Sequence, residues 1–195
     1  MNLAIIKYNA GNIQSVLNAL ERLGYNATVT DERDLILGAD KVIFPGVGEA
    51  SSAMKSLQEN GLDSIIKELK QPVLGICVGM QLLCAHSEEN DTECLGIVPV
   101  KVRKFRAQKD LKVPQVGWNN IYGLKSALFK DIANNSFIYN VHSYFAEDSP
   151  YTIASCNYGI TYAAAIQKDN FYGVQFHTEK SAQTGDKIIQ NFLNL

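Results

Sequence analysis

No apolar run in this chain approaches the ~20 residues that a bilayer-spanning helix needs. An excess of one charge is missing as well. Eighteen Lys and Arg stand against 20 Asp and Glu, a net charge of -2. That balance gives no electrostatic support to a general role on nucleic acid or a membrane surface. Cysteine is sparse and unclustered. Cys77, Cys84, Cys94 and Cys156 show no C-x-x-C spacing, so neither a zinc site nor a redox pair is suggested. In a reducing compartment they read as free thiols. The first dozen residues hold an apolar run too short for a signal peptide, and Asn12 and Gln14 follow it directly, so a cytoplasmic location is expected. There is no repeat, low-complexity tract or linker. The 195 residues suffice for one domain, 1–195, with a full core.

What is present alternates. LAIIKYN (3–9), ATVT (27–30), KVIFPG (41–46) and QPVLGIC (71–77) are strand-like apolar runs. Between the first two, Ile13, Val16, Leu17, Leu20 and Leu23 fall on one helical face, with Gly24 placed as a C-terminal cap. Residues 49–69 read as one or two helices broken near Asn60-Gly61, and VGMQLLCAHSEEN as a helix running into a polar loop. Strands alternating with helices imply an α/β fold, a central mostly parallel sheet with helices on both faces. After Glu93 the texture becomes strand-rich up to a closing helix, TGDKIIQNFLNL.

The chemistry is expected at Gly75-Ile76-Cys77-Val78-Gly79. G-x-nucleophile-x-G fits a sharp strand-to-helix turn that lifts a nucleophile above the carboxyl end of a strand. Glycines two residues to either side let strand and helix approach closely. A helix N-terminus beneath the sulfur favours thiolate over thiol, and the Val78 N–H is free to face an oxyanion. A buried structural cysteine is the competing reading.

A nucleophilic cysteine needs a base, and the chain has three histidines. His86, nine residues along the expected helix, would lie about 13 Å from the sulfur. His142 sits within the aromatic run FIYNVHSYF. His177 ends YGVQFH, and Glu179 follows two residues later. In an extended segment these two project to one side, so Glu179 can fix the imidazole tautomer. His142 is left as a cleft-lining or core residue. Pro45-Gly46-Val47-Gly48 ends a buried strand and offers backbone N–H groups for a second oxyanion contact.

With these residues in place, the chain resembles the triad, or class I, glutamine amidotransferases, whose fold is flavodoxin-like. More narrowly it resembles the glutaminase subunits of imidazole glycerol phosphate synthases. The resemblance spans nearly the whole chain. It rests on YNAGN (8–12), FPGVGEA (44–50), GICVGMQLL (75–83), VPQVGWN (113–119), YNVHSY (139–144) and QFHTEKS (175–181), of which PGVG and VPQVGWN discriminate best. It implies Cys77, His177 and Glu179 as triad, with Val47 and Val78 giving oxyanion N–H groups. It implies substrate contacts from Gly46, Gly48, Gln81 and Glu89, with Tyr139, His142 and Ser143 lining the cleft. Asn12, Trp118 and Lys180 would face a (β/α)8 synthase subunit in a heterodimer that receives ammonia from glutamine to build the imidazole ring in histidine biosynthesis. No metal, cofactor, nucleic acid or membrane is implied.

One position departs from the family, which usually has proline between the catalytic His and Glu; here it is Thr178. Proline would fix φ near -65°, and threonine is also comfortable in an extended segment. KVRKFRAQKDLK (101–112) carries six basic residues and one acid and reads as a solvated rim, with a phosphorylated ligand near the partner as the lesser alternative. Three rival readings remain: a related glutaminase feeding a synthase that aminates another sugar-derived substrate, a cysteine peptidase sharing the turn, and a non-catalytic regulatory subunit.

Overall fold

The computed structural model describes residues 1–9, 12–107 and 111–195. Four parallel pairings build the scaffold. Strand β1 (Leu3–Ile6) lies between β2 (Thr28–Thr30) and β3 (Lys41–Gly46), β3 pairs with β4 (Val73–Cys77), and β4 pairs with β13 (Phe171–Val174). Every residue of β1, β3 and β4 is buried, as strands covered on both faces must be. From β1 the chain adds β2 on one side and β3 and β4 on the other. Right-handed crossovers then place α1 (Ile13–Arg22) on one face. The other face takes α2 (Arg33–Leu37), α3 (Ala50–Glu59) and α4 (Leu62–Glu68). The closing helix α6 (Ala182–Leu193) joins the α1 side, where Asp186 meets Arg22. The carboxyl ends of β1, β3, β4 and β13 share one edge around this reversal of strand order, where open α/β sheets hold their ligands.

Beyond β13 the same sheet becomes mostly antiparallel. It runs through β12 (Thr161–Lys168), with β11 (Thr152–Asn157) paired to it, to β10 (Tyr144–Ala146), β7 (Lys101–Lys104), β5 (His86–Ser87) and β6 (Thr92–Glu93). A separate antiparallel ribbon joins β8 (Gln115–Ile121) to β9 (Ser136–His142). One buried apolar cluster runs through both halves, from Ile5 and Phe44 to Tyr162 and Phe192.

Two expectations need correction. The helix after Cys77, α5 (Val78–Leu83), stops at Leu83, because Cys84 is extended (ψ 178°). His86 therefore belongs to β5 and bonds Asp91. It is excluded as a base by that strand, not by helix length. The run after Phe171 leaves the sheet at Val174, and residues 178–180 form a 3-10 turn rather than an extended segment. The basic run lies on the surface as expected, with Lys101, Lys104, Arg106 and Lys112 exposed; Arg103 of β7 pairs with Glu88 and Glu147 there, and Lys104 lies over the Tyr144 ring. Its residues 108–110 fall outside the described residues.

Candidate active site

The strand-to-helix turn forms as its glycines allow. Cys77 adopts φ 55° and ψ -112°, a backbone geometry that costs energy in a non-glycine residue and is typical of functional turns. A Cβ on Gly79 would stand 1.9 Å from the Phe44 carbonyl oxygen, and one on Gly75 2.9 Å from the Gly79 backbone. Both positions are closed to larger residues, so β3 and β4 meet α5 at backbone contact.

Above the turn opens a cavity of about 290 Å³, lined by Val47, Gly48, Cys77, Val78, Gln81, Glu89, Val141, His142, Ser143 and His177, among others. His177 Nδ1 donates to Glu179 Oε1 across 2.7 Å. Glu179 Oε1 also accepts from Asn12 Nδ2 at 3.1 Å, and the Ser15 hydroxyl donates to Asn12 Oδ1. With Nδ1 occupied, Nε2 is the nitrogen left for Cys77. Burial lowers the His177 pKa, but hydrogen bonds to Cys77 and Glu179 outweigh it and bring it to about 10. The imidazole is thus held as a cation between sulfur and carboxylate.

His142 is the opposite case. Burial pushes its pKa down to about 4 against the pull of its bond to Tyr144. Its Nδ1–H donates to the Tyr144 carbonyl at 2.7 Å, and its Nε2 lies 3.3 Å from the Tyr162 hydroxyl, which donates to Gln115 Oε1 at 3.1 Å. It stands in the wall as a neutral ring. Glu89 is half-buried and accepts the Ala50 N–H at the start of α3 (2.7 Å). Burial raises its pKa, and the Ala50 bond opposes that rise. Val78 is the first residue of α5, so its N–H has no intrahelical acceptor. Val47 faces it from the end of β3.

Several assigned residues lie elsewhere. Gly46 is outside the cavity wall and packs behind the turn, where an added Cβ would meet Gly79 N at 2.6 Å and the Tyr8 hydroxyl at 2.7 Å. Tyr139 is also off the wall. Its carbonyl accepts the His177 N–H (3.0 Å) and its ring stacks edge-on with Trp118. Asn12 bonds Glu179 rather than standing free for a partner. Trp118 and Lys180 are exposed.

Residues 4–195 match the model of the family described as glutamine amidotransferase class-I. The chain is 54% identical over 196 residues to the imidazole glycerol phosphate synthase subunit HisH of Bacteroides fragilis, covering 100% of both chains. It is 45% identical to the subunit of the same name from Buchnera aphidicola, again over 100% of both. The chain belongs to the class-I glutamine amidotransferases, in the family of these HisH subunits. Solved structures agree on the amidotransferase fold. A glutamine amidotransferase superposes with a TM-score of 0.76 at 15% identity, over 100% of this chain and 98% of the other. The PurLQS structure from Thermotoga maritima gives 0.69 at 15%, over 99% and 97%.

One residue escaped sequence reasoning. Gln175 is fully buried, and its Nε2 lies 3.8 Å from Cys77 Sγ. Its only signal in the sequence is a polar side chain inside the apolar run YGVQFH.

Proposed function

We propose that this chain is the glutaminase of an imidazole glycerol phosphate synthase, one unit over 1–195, releasing ammonia for a (β/α)8 synthase partner. The observation that carries the chemistry is Cys77 on its strained turn, beside an imidazolium that Glu179 orients.

Cys77 thiolate attacks the side-chain carboxamide carbon of glutamine. The oxyanion is held by the N–H groups of Val78 and Val47. His177 gives its proton to the leaving amine, so ammonia departs and a γ-glutamyl thioester remains. Neutral His177 then takes a proton from water, whose oxygen attacks the thioester. Glutamate leaves and the thiolate returns. Glu89 suits the substrate's α-ammonium, while Gly48, Gln81, His142 and Ser143 shape the wall. The cavity lies at the small end of ligand pockets, ~300 to 1,000 Å³, which fits a single amino acid better than a peptide.

The partner reading rests on the β8–β9 ribbon. Val116 pairs with Val141, Trp118 with Tyr139, and Asn120 with Phe137. Residues directly opposite share a face, so these six stand together, and Trp118 and Phe137 are 54% and 63% exposed. The opposite face, with Ile121, Ile138 and Asn140, is buried. Val141 also lines the cavity, so the apolar face continues to the site's rim. A partner seated there, with Lys180 at the edge, would keep ammonia from water. Among the described residues no helix is long and apolar enough to cross a membrane.

Cys77→Ala decides the chemistry. The variant should fold, by circular dichroism, and release no ammonia from glutamine in the assembled complex. Activity kept by Cys77→Ala but lost by Cys84→Ala would overturn the assignment.

A further inference from the structure

Two glutamines lie behind the nucleophile. Gln81 Nε2 donates to the Tyr144 carbonyl and to Gln175 Oε1, both at 3.0 Å. Gln175 Nε2 reaches Cys77 Sγ at 3.8 Å, a distance suited to the larger sulfur atom. The backbone of Gln175 is pinned too, its N–H donating to the Ala164 carbonyl at 2.8 Å. The register explains the placement. Strand β13 runs parallel to β4 with Val174 opposite Ile76, so the next step along both chains sets Gln175 beside Cys77.

The direction of this chain of bonds is fixed by one atom. A carbonyl oxygen only accepts. Tyr144 O must therefore face the amide nitrogen of Gln81, not its oxygen. That nitrogen in turn requires the oxygen of Gln175, which leaves the Gln175 N–H pointing at the sulfur. The same carbonyl takes the Nδ1–H of His142, so neither neighbour can flip without breaking a second bond.

We propose that Gln175 is a catalytic residue of the glutaminase reaction, its side-chain N–H donating to Cys77 Sγ, holding the sulfur in place and favouring its anionic form. The proposal rests on the reading of Cys77 as nucleophile. Two other groups act on the sulfur. His177 shares the cavity wall with it and is coupled to it. The Val141 carbonyl, at 3.8 Å, accepts from the S–H and is useful only to the thiol, since a thiolate cannot donate. Gln175 is the neutral donor that serves the thiolate whether or not His177 has passed its proton to the leaving amine. It works when the thioester breaks down too. The departing thiolate then re-forms beside a donor already aimed at it, with no reorganisation.

The test uses the full chain. Iodoacetamide alkylation is followed by mass spectrometry across pH, and glutamine hydrolysis is measured with the synthase partner present. Gln175→Glu keeps the shape and the acceptor for Gln81 but sets a carboxylate against the sulfur. It should raise the pH of half-maximal Cys77 alkylation by a unit or more. It should also lower kcat about tenfold to a hundredfold, the worth of a hydrogen bond to a charged group, with KM moving far less. Gln175→Met, which lacks the donor, should fall between. An unchanged alkylation midpoint in a folded Gln175→Glu protein overturns the proposal, because a packing role alone would not move it. Should both variants fail to fold, wild-type protein labelled at glutamine side chains with nitrogen-15 decides. The Gln175 amide signals should titrate with the Cys77 alkylation midpoint, and fixed signals overturn the proposal. The underlying reading fails separately. If Cys77→Ala keeps glutamine hydrolysis, Cys77 is not the nucleophile and Gln175 loses its role with it.

Discussion

Thr178 sits where the family usually has proline, and the structure says what that exchange does. Thr178 is the first residue of the 3-10 turn after His177, which is extended at φ -84° and ψ 100°. That is a conformation a residue before proline accepts, and the first position of a helical turn suits proline well. The Thr178 hydroxyl is buried without a partner among the described residues. Thr178→Pro should therefore stabilise the fold by about 1 kcal/mol and leave glutamine hydrolysis within about twofold of wild type. A urea titration and an ammonia assay check both, and a lower midpoint would refute the reading. His142 gives a pH prediction of opposite character. Its folded pKa of about 4 lies below the ordinary value of 6.5, so between those pH values the unfolded chain takes up a proton that the fold refuses. Stability is present above pH 6.5 and drains away as pH falls towards 4. From pH 7 to pH 5 this group removes about 2 kcal/mol. His142→Asn keeps a donor for Tyr144 but cannot titrate, so its stability should fall less over that interval by the same amount. Parallel pH slopes for the two proteins would show that His142 does not carry the effect.

At the scale of elements, the decisive contact is the end of β3 against the start of α5. Gly79 lets the Phe44 carbonyl approach to where a Cβ would be 1.9 Å away. That neighbour is backbone and cannot rotate aside. Gly79→Ala must push β3 off the turn, at a cost of about 3 kcal/mol. It should also displace Val47, which follows β3, and so reduce hydrolysis in the fraction that remains folded. Gly61→Ala is the control. Its φ is +66° but nothing stands within 4 Å of the added atom, so only the left-handed backbone penalty of about 1 to 2 kcal/mol applies, and activity should be unchanged. Thermal melts and ammonia release distinguish the two variants. Equal losses in both would mean that the close approach does not hold the site together.

At the scale of the molecule, the outer face of the β8–β9 ribbon is the proposed docking face. Its Val116, Trp118, Phe137 and Val141 are exposed in the single chain, so truncating them removes little buried surface. Trp118→Ala should leave the urea midpoint nearly unchanged but weaken association with the synthase on the order of tenfold or more, as loss of an aromatic anchor does. Ammonia should then leak, and glutamate formed per imidazole product should rise above one. Leu35→Ala, on exposed α2, should change neither quantity. A ratio that stays at one in a Trp118→Ala complex would take the ribbon out of the ammonia path.

The sequence by itself determined the elements whose signals are local. Parallel-strand runs, the spacing of α1 and the Gly75-Cys77-Gly79 turn are statements about neighbours in the chain, and local sterics decide them. The pairing of His177 with Glu179 was legible for the same reason, although a 3-10 turn, not an extended segment, brings the two together. Tertiary structure alone decided what depends on register and on distant groups. Gly46 and Tyr139 left the cavity wall because one fills the space behind the turn and the other points to the outer side of the ribbon. Asn12 turned towards Glu179 across a separation of 167 residues. His142 became a neutral ring only because the packed wall buries it, against the pull of the Tyr144 carbonyl. Gln175 is the sharpest case. Nothing within the apolar run around it says that its amide meets a sulfur, since that contact exists only once β13 lies parallel to β4 and a carbonyl from β10 fixes which way two buried amides face.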